Sequence, residues 1–128
     1  MTLLLDTHAF LWFIAGDSKL SDQARLVIEN PDNEIFISIA SLWEMAIKAS
    51  LGKLILRHSL KDIVKSQIEA NGLILHHISV EHLTEIVDLP FHHRDPFDRL
   101  LAVQSRVDDL TLVSRDTAFD AYGIQRLW

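Results

Sequence analysis

The stretches Thr2–Leu5, Ile35–Ile37, Leu73–Ile78 and Leu110–Val113 are short and mainly apolar. They lack the polar–apolar alternation of a strand with one wet face. Strands of this kind have both faces covered, which is the condition of a parallel sheet between helices. Helical signals separate them. Thr7 to about Ala15 closes at Gly16, and Ser21 caps a second helix with Ala24, Val27 and Ile28 inward before Asn30-Pro31 stops it. Ala40 to Leu51 is apolar on most sides, so that helix is buried or shared with a partner. Leu60, Ile63, Val64 and Ile68 mark an amphipathic helix, and Ser79 caps another with Val80, Leu83, Ile86 and Val87 expected inward. Asp95-Pro96 opens a helix with Phe97, Leu100, Leu101 and Val107 on one side, Asp116 starts a short one, and Ile124 to Leu127 adds an edge strand. The order β-α-α-β-α-α-β-α-α-β-α-β predicts one α/β domain over residues 1–128. Its central, mostly five-stranded parallel sheet is flanked by helices on both faces.

In such sheets ligands bind beyond the carboxyl ends of the strands. Asp6 follows the first strand directly, and Asp116 follows the penultimate strand by three residues. Each also reads as a helix N-cap, and the two roles can coexist. Glu44 lies about one turn into the apolar helix, among Leu42, Trp43, Met45, Ala46 and Ile47. It is either an i,i+4 partner of Lys48, or a capping-box partner of Ser41, or a carboxylate compensated by a cation. Asp95 suits the N-cap and Pro96 the first helical position, which leaves Asp98 projecting from the helix as the better ligand candidate. If the four acids Asp6, Glu44, Asp98 and Asp116 converge, they must either neutralise by raised pKa or recruit a cation. An all-oxygen set suits Mg²⁺ or Mn²⁺ rather than zinc.

Composition narrows the setting. A net charge of −6 argues against a broad basic grip on nucleic acid, although a metal can reverse the field locally. There is no cysteine, hence no disulfide, thiolate nucleophile or cysteine zinc site, as fits a reducing cytoplasm. The apolar start is interrupted by Asp6 and His8 without a preceding basic stretch, so neither a signal peptide nor a membrane span is expected. The adjacent pairs His76-His77 and His92-His93 lack the i,i+4 spacing that turns two imidazoles toward one zinc, and the second pair leads with Arg94 into the helix of Asp98.

With these residues in hand, the chain resembles the PIN-domain nucleases, and among them the VapC-type toxins of type II toxin–antitoxin pairs. The matching segments are Leu4-Leu5-Asp6-Thr7-His8, Ser41-Leu42-Trp43-Glu44, Asp95-Pro96-Phe97-Asp98-Arg99-Leu100-Leu101-Ala102 and Thr111-Leu112-Val113-Ser114-Arg115-Asp116. They span nearly the whole chain. The resemblance implies a Mg²⁺- or Mn²⁺-dependent endoribonuclease with Asp6, Glu44, Asp98 and Asp116 as catalytic and metal-binding acids. It also implies Ser114 and Thr7, with Asp95, as supporting groups, a cognate antitoxin and a homodimer. Arg99 and Arg115, each beside an acid, are candidates for contact with the RNA phosphate or for charge balance. Trp12 and Trp43 are candidates for base stacking or for core and interface packing. Two other readings stand beside this one: a Mg²⁺-dependent phosphatase or phosphoacceptor domain, and a PIN-like binding module with weak turnover. The phosphatase pattern usually shows Asp-x-Asp, whereas Thr7 and His8 follow Asp6.

Overall fold

A computed structural model describes residues 1–128. The elements are β1 (Thr2–Leu5), α1 (Thr7–Ala15), α2 (Asp22–Glu29), β2 (Glu34–Ser38), α3 (Ile39–Ser50), α4 (Leu60–Ile63), β3 (Ile74–His76), α5 (Val80–Ile86), α6 (Pro96–Val107), β4 (Thr111–Val113) and β5 (Arg126–Leu127). A π-helical turn, Val64–Glu69, continues α4, and a 3₁₀ helix, Thr117–Tyr122, lies between β4 and β5. The sheet order is β3-β2-β1-β4-β5 and every pairing is parallel.

The consecutive leucines of β1 explain themselves in this arrangement. Side chains alternate across a strand, so Leu3 and Leu5 enter one core, with Phe10, Ile37 and Met45, while Leu4 enters the other, with Leu101, Leu112 and Phe119. All three leucines are fully buried. Each stabilises the fold by about 1.5–3 kcal/mol relative to exposure. Helices α1 to α4 supply the larger core, and α6 with the 3₁₀ helix supplies the smaller.

The chain lays β2 and β3 on one side of β1, then crosses back to place β4 and β5 on the other. The strand order therefore reverses beside β1, and a crevice opens where β1 and β4 end. That crevice is where Asp6 and Asp116 leave the sheet.

Three departures from expectation have local causes. β3 stops at His76 because its one neighbour, β2, offers no register partner beyond Ser38; the next carbonyl, of His77, accepts instead from Gln104 Nε2 at 3.3 Å. Ser38 caps α3 through Ala40 N–H (3.0 Å), so no Ser41–Glu44 capping box forms. On α5 the expected inner face is wrong: Val80, Leu83 and Val87 are exposed, while Ile86 packs on the smaller core and His82 is buried. A capping box in which Ser79 Oγ accepts from His82 N–H, and Ser79 N–H donates to His82 Nδ1, turns that helix. No helix is long and apolar enough to cross a membrane.

Gln104 joins the end of β2 to α6: Ser38 Oγ, fully buried, donates to Gln104 Oε1 at 2.6 Å. Gln104→Leu leaves the proton of that hydroxyl and the His77 carbonyl without their partners, and is expected to cost about 1–3 kcal/mol in urea denaturation.

Candidate active site at the carboxyl edge of the sheet

Asp6 is the first residue past β1, and its Oδ1 accepts the Ala9 N–H at 2.8 Å, capping α1. It is 8% exposed. Burial pushes its pKa up, and the Asp116 charge adds to that, against hydrogen bonds from the Ser114 hydroxyl and Ala9 N–H and the charge of His8. Thr7 carries the order across to α3: its hydroxyl lies 2.7 Å from Glu44 Oε1 and 3.0 Å from Ser41 Oγ. With one proton to give, Thr7 donates to the carboxylate. Glu44 also forms the ion pair with Lys48 that its spacing suggested, and is itself buried. The Lys48 pKa is raised, first by this hydrogen bond from its ammonium to Glu44 and then by the charges of Glu44, Asp95 and Asp98. One ammonium thus sits in the field of three carboxylates.

Asp95 caps α6, its Oδ1 accepting from Phe97 N–H (2.8 Å) and Asp98 N–H (3.1 Å). The Asp98 carboxylate has neither a side-chain hydrogen bond nor an ion pair. It is half-buried and its pKa is pushed up to about 7, by burial first and then by Asp95, Glu44 and Asp6, against the charge of His93. Like the buried Asp6, it is a group that calls for a cation.

Asp116 caps the 3₁₀ helix, with Oδ1 accepting from Ala118 N–H at 2.9 Å, and its own N–H donates to Ser114 Oγ at 3.1 Å. Partial burial pushes its pKa up, but the His93 hydrogen bond, the Ala118 N–H and the charges of His93 and Arg126 outweigh this and hold it low.

His93 is the residue that reading the sequence missed. Its Nε2 lies 2.7 Å from Asp116 Oδ2, and Tyr122 Oη accepts its backbone N–H at 2.9 Å while lying 3.1 Å from its Nδ1. The Nε2–H faces the Asp116 carboxylate, which can only accept. The ring is packed against Phe119 and stacked on Tyr122, with centroids 4.4 and 5.6 Å away. The only sequence signal was its place three residues before the first turn of α6.

The two arginines part company. Arg99 is buried, and its guanidinium donates to the carbonyls of Pro90 (3.0 Å), Leu89 (3.1 Å) and Ile86 (3.4 Å) while lying over Phe91. It braces the loop before α6, and its donors are not offered to a phosphate; that candidacy is corrected. Arg115 is exposed and lines a cavity of about 320 Å³ with Asp6, His8, Trp12 and Asp116. Trp43 is half-exposed, edge-on to Phe97 at 4.9 Å, and Trp12 packs on the larger core.

The donor set of Asp6, Glu44, Asp98 and Asp116 is all oxygen and has one uncompensated carboxylate, which suits a hard divalent cation. The carboxylates face one field without being drawn to a point. The three ligating atoms that do lie within 4.8 Å of one another belong to His76, His82 and Asp108. There both imidazole Nε2 atoms are 2.6 Å from Asp108 Oδ2. His82 Nδ1 already accepts the Ser79 N–H, so its Nε2 must carry the proton and has no lone pair for a metal. That trio ties β3, α5 and the end of α6 together. Burial pushes the Asp108 pKa up, but the hydrogen bonds from both histidines outweigh it and hold it low.

Residues 3–125 match the family model described as PIN domain. Among solved structures, the chain is similar to VapBC2 from Rickettsia felis bound to a DNA fragment from their promoter. There the TM-score is 0.70 at 19% identity, over 99% of this chain and 98% of that one. It is also similar to FitAB bound to an IR36 DNA fragment (TM-score 0.65, 16% identity, 99% and 94% covered). A third likeness is to VapBC-1 from nontypeable Haemophilus influenzae (TM-score 0.64, 12% identity, 99% and 97% covered). At these identities the likeness is one of fold. No curated protein matches the chain.

Two outcomes follow from the charges. Because the folded state raises the Asp98 pKa from 3.8 to about 7, it holds a proton that the unfolded chain releases, and stability falls as pH rises through that window. In EDTA, Asp98→Asn is therefore expected to be more stable than wild type at pH 8, on the order of 1–2 kcal/mol after allowance for solvent screening, with little difference at pH 4. Thermal melts at both pH values check this. His93→Ala frees Asp116 Oδ2 and is expected to weaken Mn²⁺ binding by about 10–100-fold, measured by titration calorimetry, with His93→Gln recovering part of the loss.

Proposed function

This chain belongs to the PIN-domain family, and we propose that it is a divalent-metal-dependent endoribonuclease acting as the toxin of a type II toxin–antitoxin pair. The observation that carries the reading is the unpaired Asp98 carboxylate, its pKa pushed up to about 7 in the shared field of Asp95, Glu44 and Asp6. Asp6 and Asp98 are the residues that would hold Mg²⁺ or Mn²⁺, with Glu44 and Asp116 completing the set through water or at a second ion. When bound, such an ion lowers the pKa of a water and draws charge from a phosphodiester oxygen.

The chain's own groups prepare the site. Ser114 accepts the Asp116 N–H and hydrogen-bonds Asp6, so one hydroxyl holds two of the acids in register. Thr7 fixes Glu44, and Asp95 fixes the start of the helix that presents Asp98. Lys48 offsets part of the charge of Glu44 without covering Asp98. A substrate phosphodiester would meet Arg115 at the rim of the cavity.

The similar structures are VapBC and FitAB assemblies, which supports a cognate antitoxin as partner of this chain. A basic antitoxin side chain would find the same acids. The half-exposed Trp43, on a helix apolar on most sides, supports a homodimer through α3. RNA is the substrate class proposed, and the cytoplasm the compartment.

Incubation of structured RNA with the protein and Mg²⁺ or Mn²⁺ tests the reading. Wild type is expected to cleave, EDTA to stop it, and Asp6→Asn or Asp98→Asn to lower the rate by about 10²-fold or more while the circular dichroism stays native. Full activity in folded Asp98→Asn refutes the assignment. Hydrolysis of a phosphomonoester without RNA cleavage selects the phosphatase reading, and metal binding without turnover selects the binding module.

A further inference from the structure

Beside the acids, one wall of the cavity carries a cation outside any ion pair and two aromatic rings. The arginines and lysines engaged in ion pairs are Arg25, Lys48, Arg106 and Arg126. Arg115 is not among them, although it precedes Asp116 in the chain. Its guanidinium carbon lies 4.8 Å over the Trp12 ring, so an aromatic face holds this cation and no carboxylate neutralises it. The planar donors of such a guanidinium remain available to an oxyanion.

The ring beneath it is fixed. Trp12 packs on the larger core and meets Trp128 edge-on at 5.9 Å. One turn earlier on α1, the exposed His8 ring lies 5.5 Å from the indole, tilted by 30°. A guanidinium on a core-anchored indole, with the exposed His8 ring beside it, matches the two parts of a nucleotide: charge for the phosphate and a flat surface for the base.

The cavity also has a direction. His8 and Trp12 line a second, larger groove of about 510 Å³, whose cations include Lys53 and Arg57 and whose lining holds no Asp or Glu. Both cations are exposed and outside any ion pair. In a chain of net charge −6, a polyanion leaving the acids would find favourable field along this route.

We propose that the wall formed by Arg115, Trp12 and His8 is the subsite for the nucleotide flanking the cleaved phosphodiester. Arg115 takes its phosphate, the ring pair takes its base, and the single strand continues toward Lys53 and Arg57. The inference rests on the acids being the cleavage centre.

The test is anisotropy of a fluorescein-labelled oligouridine eight nucleotides long, with Ca²⁺ in place of Mg²⁺, at several salt concentrations. Arg115→Ala is expected to weaken binding about tenfold and to lower the slope of log K against log salt by about 0.7, the share of one single-strand phosphate. Arg115→Lys restores the slope. His8→Ala, at an exposed position, weakens binding by about fivefold or more and leaves the slope unchanged. Coincident isotherms and slopes for wild type and Arg115→Ala overturn the subsite. So does a wild type that ignores the oligonucleotide yet binds an acidic peptide of equal length, since the groove then serves a protein. Cleavage is scored separately in Mg²⁺: if the variants lose binding as described but wild type cuts no RNA, the subsite stands and the nuclease reading alone falls.

Discussion

Crowding of like charge at the carboxyl edge of the sheet is the constraint around which the rest of the structure is arranged. Asp6, Glu44, Asp98 and Asp116 approach from four elements, and each needs a reason to stay. Three have one within the protein. Asp6 and Asp116 cap helices and share the Ser114 hydroxyl, and Glu44 holds Thr7 and Lys48. Asp98 has none, and its pKa is displaced accordingly. The fold gives three carboxylates hydrogen-bond or ion-pair partners and leaves the fourth without one.

Holding such a cluster requires a stiff frame, which the leucines of β1 provide. Leu3, Leu4 and Leu5 are buried on alternate faces, so β1 is gripped by both cores at once. The reversal of strand order beside it then opens the crevice into which Asp6 emerges. Around that crevice the polar supports are arranged so that no buried side-chain polar atom lacks a partner. Arg99 belongs to this supporting set. A guanidinium shared among three carbonyls braces the loop that delivers His93 and Asp95.

Capping does not exhaust the acceptor capacity of these acids. Asp116 accepts the Ala118 N–H with Oδ1 and the His93 imidazole with Oδ2, and each oxygen keeps a second lone pair. Both acids cap helices, and that role does not exclude a ligand role for either. At Glu44 likewise, the Lys48 pair and the place among the acids both hold, whereas the capping box with Ser41 does not, because Ser38 starts α3 earlier.

What could be read along the chain is what local chemistry controls. Apolar runs without alternation marked the strands, Ser21, Ser79, Asp95 and Asp116 marked helix starts, and the positions of Asp6 and Asp116 after strands marked the edge of the sheet at which they lie. These depend on residues a few places apart. What could not be read depends on contacts between distant segments. Arg99 and Arg115 look alike beside their acids, yet one is spent on the carbonyls of a preceding loop and the other rests on a tryptophan a hundred residues away. His93 is held beside Asp116 by its contacts with Tyr122, and α5 presents His82 rather than Leu83 inward because Asp108 waits at the end of another helix. A hydrogen bond commits a side chain only when its partner arrives, and those partners arrive with the fold.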